Sequence, residues 1–285
     1  MSDLLPQIER VSLIVFLVSS MLALGLTLSL SAIIAPLRDV RIVLLALGLN
    51  FIIAPAFAWL LTVVIPLDRG YAIGLLLLGG AAGAPFLPQV VGAARGDLAL
   101  TAALVGLLTV GTILFLPFAL PLMVPGLQAD PWTIARPLML LILLPLCVGM
   151  FVKSRAATFA MRAAPVLGKV GHASLLLVFV LLIALNVRVL ISVAGHGALL
   201  VALLYFAALF IIGWGLGGSK PEVRGVMGLA TAGRNFGAAI VPAANSFSDP
   251  KVTIMIIVGA IVCLVVSFIA AGWLRGKTFV PAPAI

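Results

Sequence analysis

The chain has 285 residues, of which 64% are hydrophobic and only 9% charged, and its formal net charge is +9. Soluble domains carry roughly a quarter charged residues, so this composition excludes a water-soluble globular protein. The basic residues are scattered through short connections, which excludes a nucleic-acid-binding face and leaves the lipid bilayer as the surrounding partner.

Long apolar segments recur along the whole chain, and each can cross a hydrocarbon core of about 30 Å as a helix. The connections between them are short, so we expect an all-α, multi-pass membrane protein of the cell (inner) membrane, with residues 1–285 forming a single membrane domain. Nine segments are predicted, near 11–32, 41–64, 71–93, 98–123, 134–152, 168–190, 197–217, 223–246 and 253–274.

The distribution of lysine and arginine predicts the orientation. With the C-terminus in the cytoplasm, eleven basic residues fall on the inner side and five on the outer side, with Arg234 left over. Cytoplasmic loops carry the excess of basic residues, so the C-terminus is predicted to be cytoplasmic and the N-terminus to lie outside.

Two segments look interrupted near the middle of the membrane. Segments 71–93 and 223–246 each contain a cluster of glycine and proline, and the orientation makes them cross the bilayer in opposite directions. Paired interrupted helices are typical of inverted-repeat transporters, whose site lies where the breaks meet; close packing of two unbroken helices is the alternative. The residues expected at the breaks are Gly83, Pro85, Pro88, Gly233 and Pro242.

No set of side chains suited to catalysis or metal binding shares one depth, so we predict neither an enzyme nor a metal site. All eight acidic residues lie in termini or connections, which leaves Arg234 as the one charged group deep inside a segment. It lies about 18 Å from Glu222 at helical rise. An arginine there costs about 2.5–3.5 kcal/mol and stays charged. Arg234 either faces a substrate cavity or ties half-helices together through backbone carbonyls.

Other polar residues at depth are candidates for binding a substrate. Amides need partners at both ends, and threonines carry the remaining oxygens. With Arg234, the predicted substrate-binding residues are Asn50, Gln89, Thr101, Thr231 and Asn235.

The chain resembles the bile acid:sodium symporter family over nearly its whole length. The motif "GLNFIIAPAFAWLL" matches that family's second-span motif, with Asn50 at a glutamine position. The stretch "GLLLLGGAAGAPFLPQVVGAARGDLALT" is similar to its first crossover helix, which ends in the turn Gly96–Asp97, and "TAGRNFGAAIVP" is similar to its second.

That resemblance implies sodium-driven uptake of a small organic anion by alternating access. It also implies an inverted repeat with two crossed, discontinuous helices, and a core domain that moves against a panel domain. Core-like spans would fall within 41–152 and 197–274, and panel-like spans within 11–32 and 134–190. Nothing in the sequence specifies an oligomeric state.

Several positions that hold sodium in the family are replaced in this chain. The glutamate and glutamine of the second crossover motif correspond to Ala230 and Arg234, and an asparagine of the first corresponds to Pro88. Of two hydroxyl positions in the next span, Thr101 keeps its oxygen and Val105 does not. A fixed cation nearby would repel sodium further.

We therefore expect Arg234 to take the electrostatic role of the bound sodium, in a transporter that is independent of sodium. A sodium-coupled organic-anion symporter is the alternative within transport. A membrane sensor that binds a ligand without moving it is the alternative outside transport. No cofactor other than sodium is implied.

Overall fold

The computed structural model describes residues 4–28, 34, 38–124, 130–185 and 197–276 of the chain. Helices account for nearly all of these residues, and no strand lies among them. In chain order the helices are α1 (Leu4–Thr27), α2 (Val40–Val64), α3 (Arg69–Gly80), α4 (Leu87–Ala93), α5 (Leu98–Met123), α6 (Pro131–Arg155), α7 (Ala157–Leu185), α8 (Ala198–Leu216), α9 (Pro221–Ala232), α10 (Phe236–Ser246) and α11 (Pro250–Arg275).

Six of these helices are long and apolar enough to cross a membrane: α1, α2, α5, α6, α8 and α11. Each contains an 18-residue stretch whose mean hydropathy lies between 1.9 and 3.0. Many large apolar side chains on their outer faces are exposed, as lipid-facing positions are in a membrane protein. The predicted all-α membrane fold is confirmed.

Four of the acidic residues that the sequence places outside the apolar segments begin helices. Each of these aspartates accepts at least one hydrogen bond from a backbone N–H group in the first turn of the helix that follows it. These N-caps are Asp39 for α2, Asp97 for α5, Asp130 for α6 and Asp249 for α11.

Two of the long helices contain a short π-helical stretch. These stretches are Leu49–Ile53 in α2 and Met139–Leu143 in α6, and a proline, Pro55 or Pro145, follows each one closely. Proline cannot donate a backbone hydrogen bond, and a wider turn before it accommodates that loss. The first of these stretches carries Asn50.

Both predicted interruptions are present. Between α3 and α4 the chain is non-helical over residues 81–86, and Gly83 there adopts a left-handed φ of +84°. Between α9 and α10 the gap is Gly233–Asn235, with Gly233 at the C-cap of α9. Pro85 lies in the first gap, and Pro88 is the second residue of α4.

The expectation that Pro242 marks a break is wrong. Pro242 lies inside α10, which continues to Ser246 without interruption. A proline removes one backbone donor, but a helix surrounded by other helices tolerates that loss, so proline alone does not end the element. The change of direction in this segment occurs instead at Gly233.

Helix α7 starts earlier than the sequence suggests. It begins at Ala157 rather than near 168, with Pro165 inside it, and so Lys169 and His172 lie well inside the helix rather than near its start. Helix α1 is also shifted toward the N-terminus and ends at Thr27 rather than near 32. Residues 29–32 and 186–190 of the predicted segments lie outside the described residues.

The helices associate in two groups. Helix α1 packs most extensively against α6 and α7, while α3, α8 and α9 pack around α11 and against α2. Helices α1 and α6 approach very closely, since a Cβ on Gly149 would lie 2.5 Å from the carbonyl oxygen of Leu22. Small residues at such contacts drive helix association in a membrane, where burial of apolar surface does not.

Helix α5 supports the first interruption through two threonines. The hydroxyl of Thr112 accepts a hydrogen bond from the Ala82 N–H (2.8 Å) and lies 3.0 Å from the Ala82 carbonyl oxygen, to which it donates. The hydroxyl of Thr109 donates to the carbonyl of Gly83 (3.3 Å). A helix break in the membrane leaves backbone groups without partners, and these hydroxyls supply them.

Replacement of Thr112 tests this support. We expect Thr112→Val to lower the free energy of unfolding by about 2 kcal/mol, because the buried Ala82 amide loses its acceptor while side-chain shape is kept. Thermal unfolding in detergent measures the effect. The matched control is Thr62→Val, since the Thr62 hydroxyl bonds only to Trp59 in its own helix. Equal midpoints for the two variants would contradict the role of Thr112.

Candidate functional site

The two interruptions meet and pair with each other. The Asn235 N–H donates to the carbonyl of Ala81 (2.9 Å), and Ala82 and Arg234 form an isolated antiparallel bridge. Four helix ends therefore converge: the C-terminal ends of α3 and α9 and the N-terminal ends of α4 and α10. We call this meeting point of residues 81–86 and 233–235 the junction.

Arg234 is fully buried at the junction, with no exposed side-chain surface. Its guanidinium donates to the Gly79 carbonyl (3.4 Å), to the Thr231 carbonyl and to Oδ1 of Asn50. Gly79 and Thr231 belong to the last turns of α3 and α9, whose carbonyls have no partners within their own helices. The positive charge thus lies where two helix dipoles place partial negative charge.

No carboxylate neutralises this guanidinium within the described part of the chain; the ion pair between Lys251 and Asp68 does not involve Arg234. The Nε of Arg234 has no hydrogen-bond partner either. Carbonyl and amide oxygens alone therefore stabilise the buried charge.

The acceptor on Asn50 is oriented by its own helix. Its Nδ2 donates to the Ala46 carbonyl (2.9 Å), which turns Oδ1 toward Arg234. The neighbouring Tyr205 hydroxyl donates to the carbonyl of Ala54 (3.3 Å), in the turn that follows the π-helical stretch of α2. The wider turn of α2 therefore contains the side chain of Asn50, which contacts Arg234, and is followed by the carbonyl of Ala54, which contacts Tyr205.

Asn235 stabilises the junction at the start of α10. Its Oδ1 accepts from the Ala238 N–H (3.1 Å) and so caps the N-terminus of α10, while its Nδ2 is buried without a partner. Thr231 bonds back to Met227 in its own helix (2.8 Å). The Cys263 thiol lies 3.4 Å from the carbonyl of Ala232, which is the last residue of α9.

The structure brings four of the predicted site residues together and separates the other two from them. Asn50, Thr231, Arg234 and Asn235 gather at the junction. Gln89 lies apart from them, on the exposed side of α4, where its Nε2 is 3.4 Å from Nε2 of His172. Thr101 belongs to neither place, because its hydroxyl donates to the Asp97 carbonyl in the first turn of α5 (2.6 Å).

The junction does not offer a donor set that fits sodium. Sodium needs several oxygen ligands, yet Oδ1 of Asn50 accepts from Arg234 and Oδ1 of Asn235 accepts from Ala238. The hydroxyls of Thr109 and Thr112 bond to the first interruption. The nearest charge is the guanidinium, which repels a second cation at low dielectric.

A cavity of about 650 Å³ lies beside the junction, between the interrupted helices and the group formed by α1, α6 and α7. Its wall is mostly apolar, with Phe86 and Phe236 contributed by the two interrupted segments. Their rings stack with centroids 5.5 Å apart. Arg234 does not line this cavity, whereas Gln89 does.

Three ionisable residues of the cavity wall were missed by sequence reasoning: Lys153, Lys169 and His172. Lys153 and Lys169 were counted only among the basic residues of the inner side, and His172 lies near the start of the predicted segment 168–190. A polar pair three residues apart, followed by a long apolar run, was the signal that could have marked one helix face.

A search of curated proteins finds no match for this chain. A model of the sodium bile acid symporter family matches residues 14–193, a region that contains the first interruption and the cavity residues of α1, α4, α6 and α7. Since this region is more than half of the chain, the protein belongs to the sodium bile acid symporter family.

Proposed function

We propose that this protein moves an organic anion across the membrane by alternating access without sodium, and that Arg234 supplies the positive charge that sodium supplies elsewhere. Membership of the family makes the chain a secondary transporter of the organic-anion type. The observation that carries the finer proposal is the contact of the buried guanidinium with carbonyls at the ends of both α3 and α9.

The junction is more stable with a positive charge at its centre. Two helix C-termini point partial negative charge at one buried point, and a cation there lowers the energy of the crossing. Arg234 provides that cation permanently, because its guanidinium does not lose its proton in proteins. A sodium ion about 4 Å away would meet a repulsion of about 4 kcal/mol at an effective dielectric constant of 20.

The sequence at this site agrees with a permanent charge. A sodium site in a protein needs anionic or carbonyl oxygens, and the position expected to carry a carboxylate is Ala230. Ala230 is buried and carries no oxygen in its side chain, so this position supplies no ligand to a cation.

Movement in this proposal occurs between the two helix groups. Helices α1, α6 and α7 form the panel domain, while α2–α5 and α8–α11 form the core domain that carries the junction. The cavity lies between them and is lined near one end by Thr27 and Lys153. In this proposal that end lies on the cytoplasmic side of a bacterial-type inner membrane, as does the C-terminus, because basic residues are in excess on the cytoplasmic side; the conformation is then inward-facing.

The predicted substrate-binding residues take different roles in this proposal. Gln89 contacts the substrate directly, because its side chain is exposed in the cavity. Arg234, Asn50, Thr231 and Asn235 hold the junction on which the cavity wall depends. Thr101 donates back to the Asp97 carbonyl in the first turn of α5 and contributes to neither role.

Ion replacement in proteoliposomes tests the first part of the proposal. We expect uptake of taurocholate, or of the fluorescent anion 2-naphthalenesulfonate, to proceed at the same rate within about twofold when external sodium is replaced by choline. The physical reason is that the fixed guanidinium already occupies the electrostatic position of the ion. A tenfold or greater requirement for sodium would contradict this proposal and favour a sodium-coupled symporter.

The same experiment distinguishes a membrane sensor, which binds an anion without moving it, from a transporter. Liposomes without protein give the background, and binding of either anion without any flux above that background would identify a sensor.

Substitution of Arg234 tests the second part. Arg234→Gln is expected to reduce uptake at least tenfold, because two helix ends then face each other without a compensating charge. The double substitution Ala230→Glu with Arg234→Gln restores a carboxylate and an amide at these positions, and we expect it to regain uptake that depends on sodium. Initial rates with sodium and with choline measure both effects.

The matched control is Arg162→Gln, which removes an exposed arginine of α7 that does not line the cavity. Its uptake should remain that of the original protein. Unchanged kinetics of the Arg234→Gln protein would show that the guanidinium only fills space.

A further inference from the structure

The cavity beside the junction carries two positive charges that nothing in the described part of the chain neutralises. Lys153 and Lys169 both line it, no acidic side chain does, and neither lysine forms an ion pair with any described residue. The Lys153 ammonium donates to the Thr27 carbonyl at the end of α1, which is a neutral acceptor. The cavity wall therefore has a net charge of +2 with His172 neutral.

The two charges lie at different depths. Lys153 is in the last turn of α6, whereas Lys169 lies twelve residues into α7, about 18 Å along that helix. At the deeper position Gln89 and His172 approach each other within 3.4 Å across the gap between α4 and α7. Lys169, three residues before His172, lies on the same side of α7 and also lines the cavity.

The rest of the cavity wall is mostly apolar. Phe16 of α1 and the stacked rings of Phe86 and Phe236 contribute to it, so a hydrophobic and preferably flat body fits the cavity. Uncompensated lysines inside a membrane protein are costly and usually mark a substrate pathway. A ligand with a single charge would leave one of the two ammonium groups without a counter-charge.

We infer that the cavity binds an organic dianion whose two acidic groups lie at opposite ends of an apolar body. One acidic group contacts Lys169, His172 and Gln89, and the other contacts Lys153. This inference rests on the proposed function in so far as the bound dianion is the transported substrate.

Calorimetric titration of the purified protein in phosphatidylcholine nanodiscs tests it. The probes are 2-naphthalenesulfonate and 2,6-naphthalenedisulfonate, which share one rigid ring system and stay ionised at all relevant pH values. We expect the disulfonate to bind at least tenfold more tightly, because each acidic group gains its own partially desolvated ammonium partner. Equal affinities would overturn the inference.

Substitutions assign the two ends. Lys153→Gln and Lys169→Gln should each weaken disulfonate binding about tenfold and remove most of its advantage over the monosulfonate. Lys153→Arg and Lys169→Arg keep the charge and should retain that advantage, which guards against a loss caused by misfolding. Arg162→Gln, on the same helix as Lys169, should change neither affinity. Glutamine variants that keep the full disulfonate preference would overturn the inference.

An anionic lipid headgroup presents the same chemistry, and a second set of nanodiscs distinguishes the two sources. With one fifth of the lipid replaced by cardiolipin, disulfonate affinity should change by less than about threefold. A loss of disulfonate affinity of threefold or more in these discs would overturn the inference in favour of a lipid site. Because binding needs no flux, failure of sodium-independent transport would leave this result readable by itself.

Discussion

The contact between one buried guanidinium and the open ends of two half-helices is the interaction on which the rest of the structure depends. A helix that stops inside a bilayer leaves carbonyl groups without partners, and this chain stops two helices at the same depth. Arg234 donates to a carbonyl at the end of each of these helices and adds a charge that their dipoles favour. Thr112 and Thr109 supply hydrogen bonds to the backbone of the first interruption. Without such partners the interrupted segments would be more stable as continuous helices.

The protein contains two kinds of positive charge, which differ in whether a ligand can reach them. Arg234 is enclosed by oxygen acceptors of the protein itself, so its charge serves the architecture. Lys153 and Lys169 face a cavity without protein counter-charges, so their charge is available to a ligand. Helix α10 connects the two places, because it begins at the junction and its residues Phe236 and Gly237 form part of the cavity wall. A change at the junction therefore alters the wall that a ligand contacts.

Particular residues show how far sequence reasoning reaches. Arg234 was identifiable because the nine residues before it and the fourteen after it are uncharged, and Gly83 and Gly233 were identifiable as breaks from their clusters. Pro242 was misjudged because a proline indicates a missing backbone donor, whereas the neighbouring helices decide whether that loss is tolerated. Lys169 and His172 were missed because only the packing of α7 beside α4 brings them to one cavity with Gln89.

The amino-acid sequence by itself determined the solvent of this protein, the approximate spans and the depth of the one buried cation. Each of these follows from the cost of transferring individual side chains between water and lipid, which is a local property. Only the tertiary structure decided that the guanidinium meets helix ends rather than the cavity, and that two lysines of neighbouring helices share that cavity with Gln89. The contacts of Arg234 join segments more than 100 residues apart in the chain, and Gln89 and His172 are 83 residues apart. Contact at such range is a property of packing.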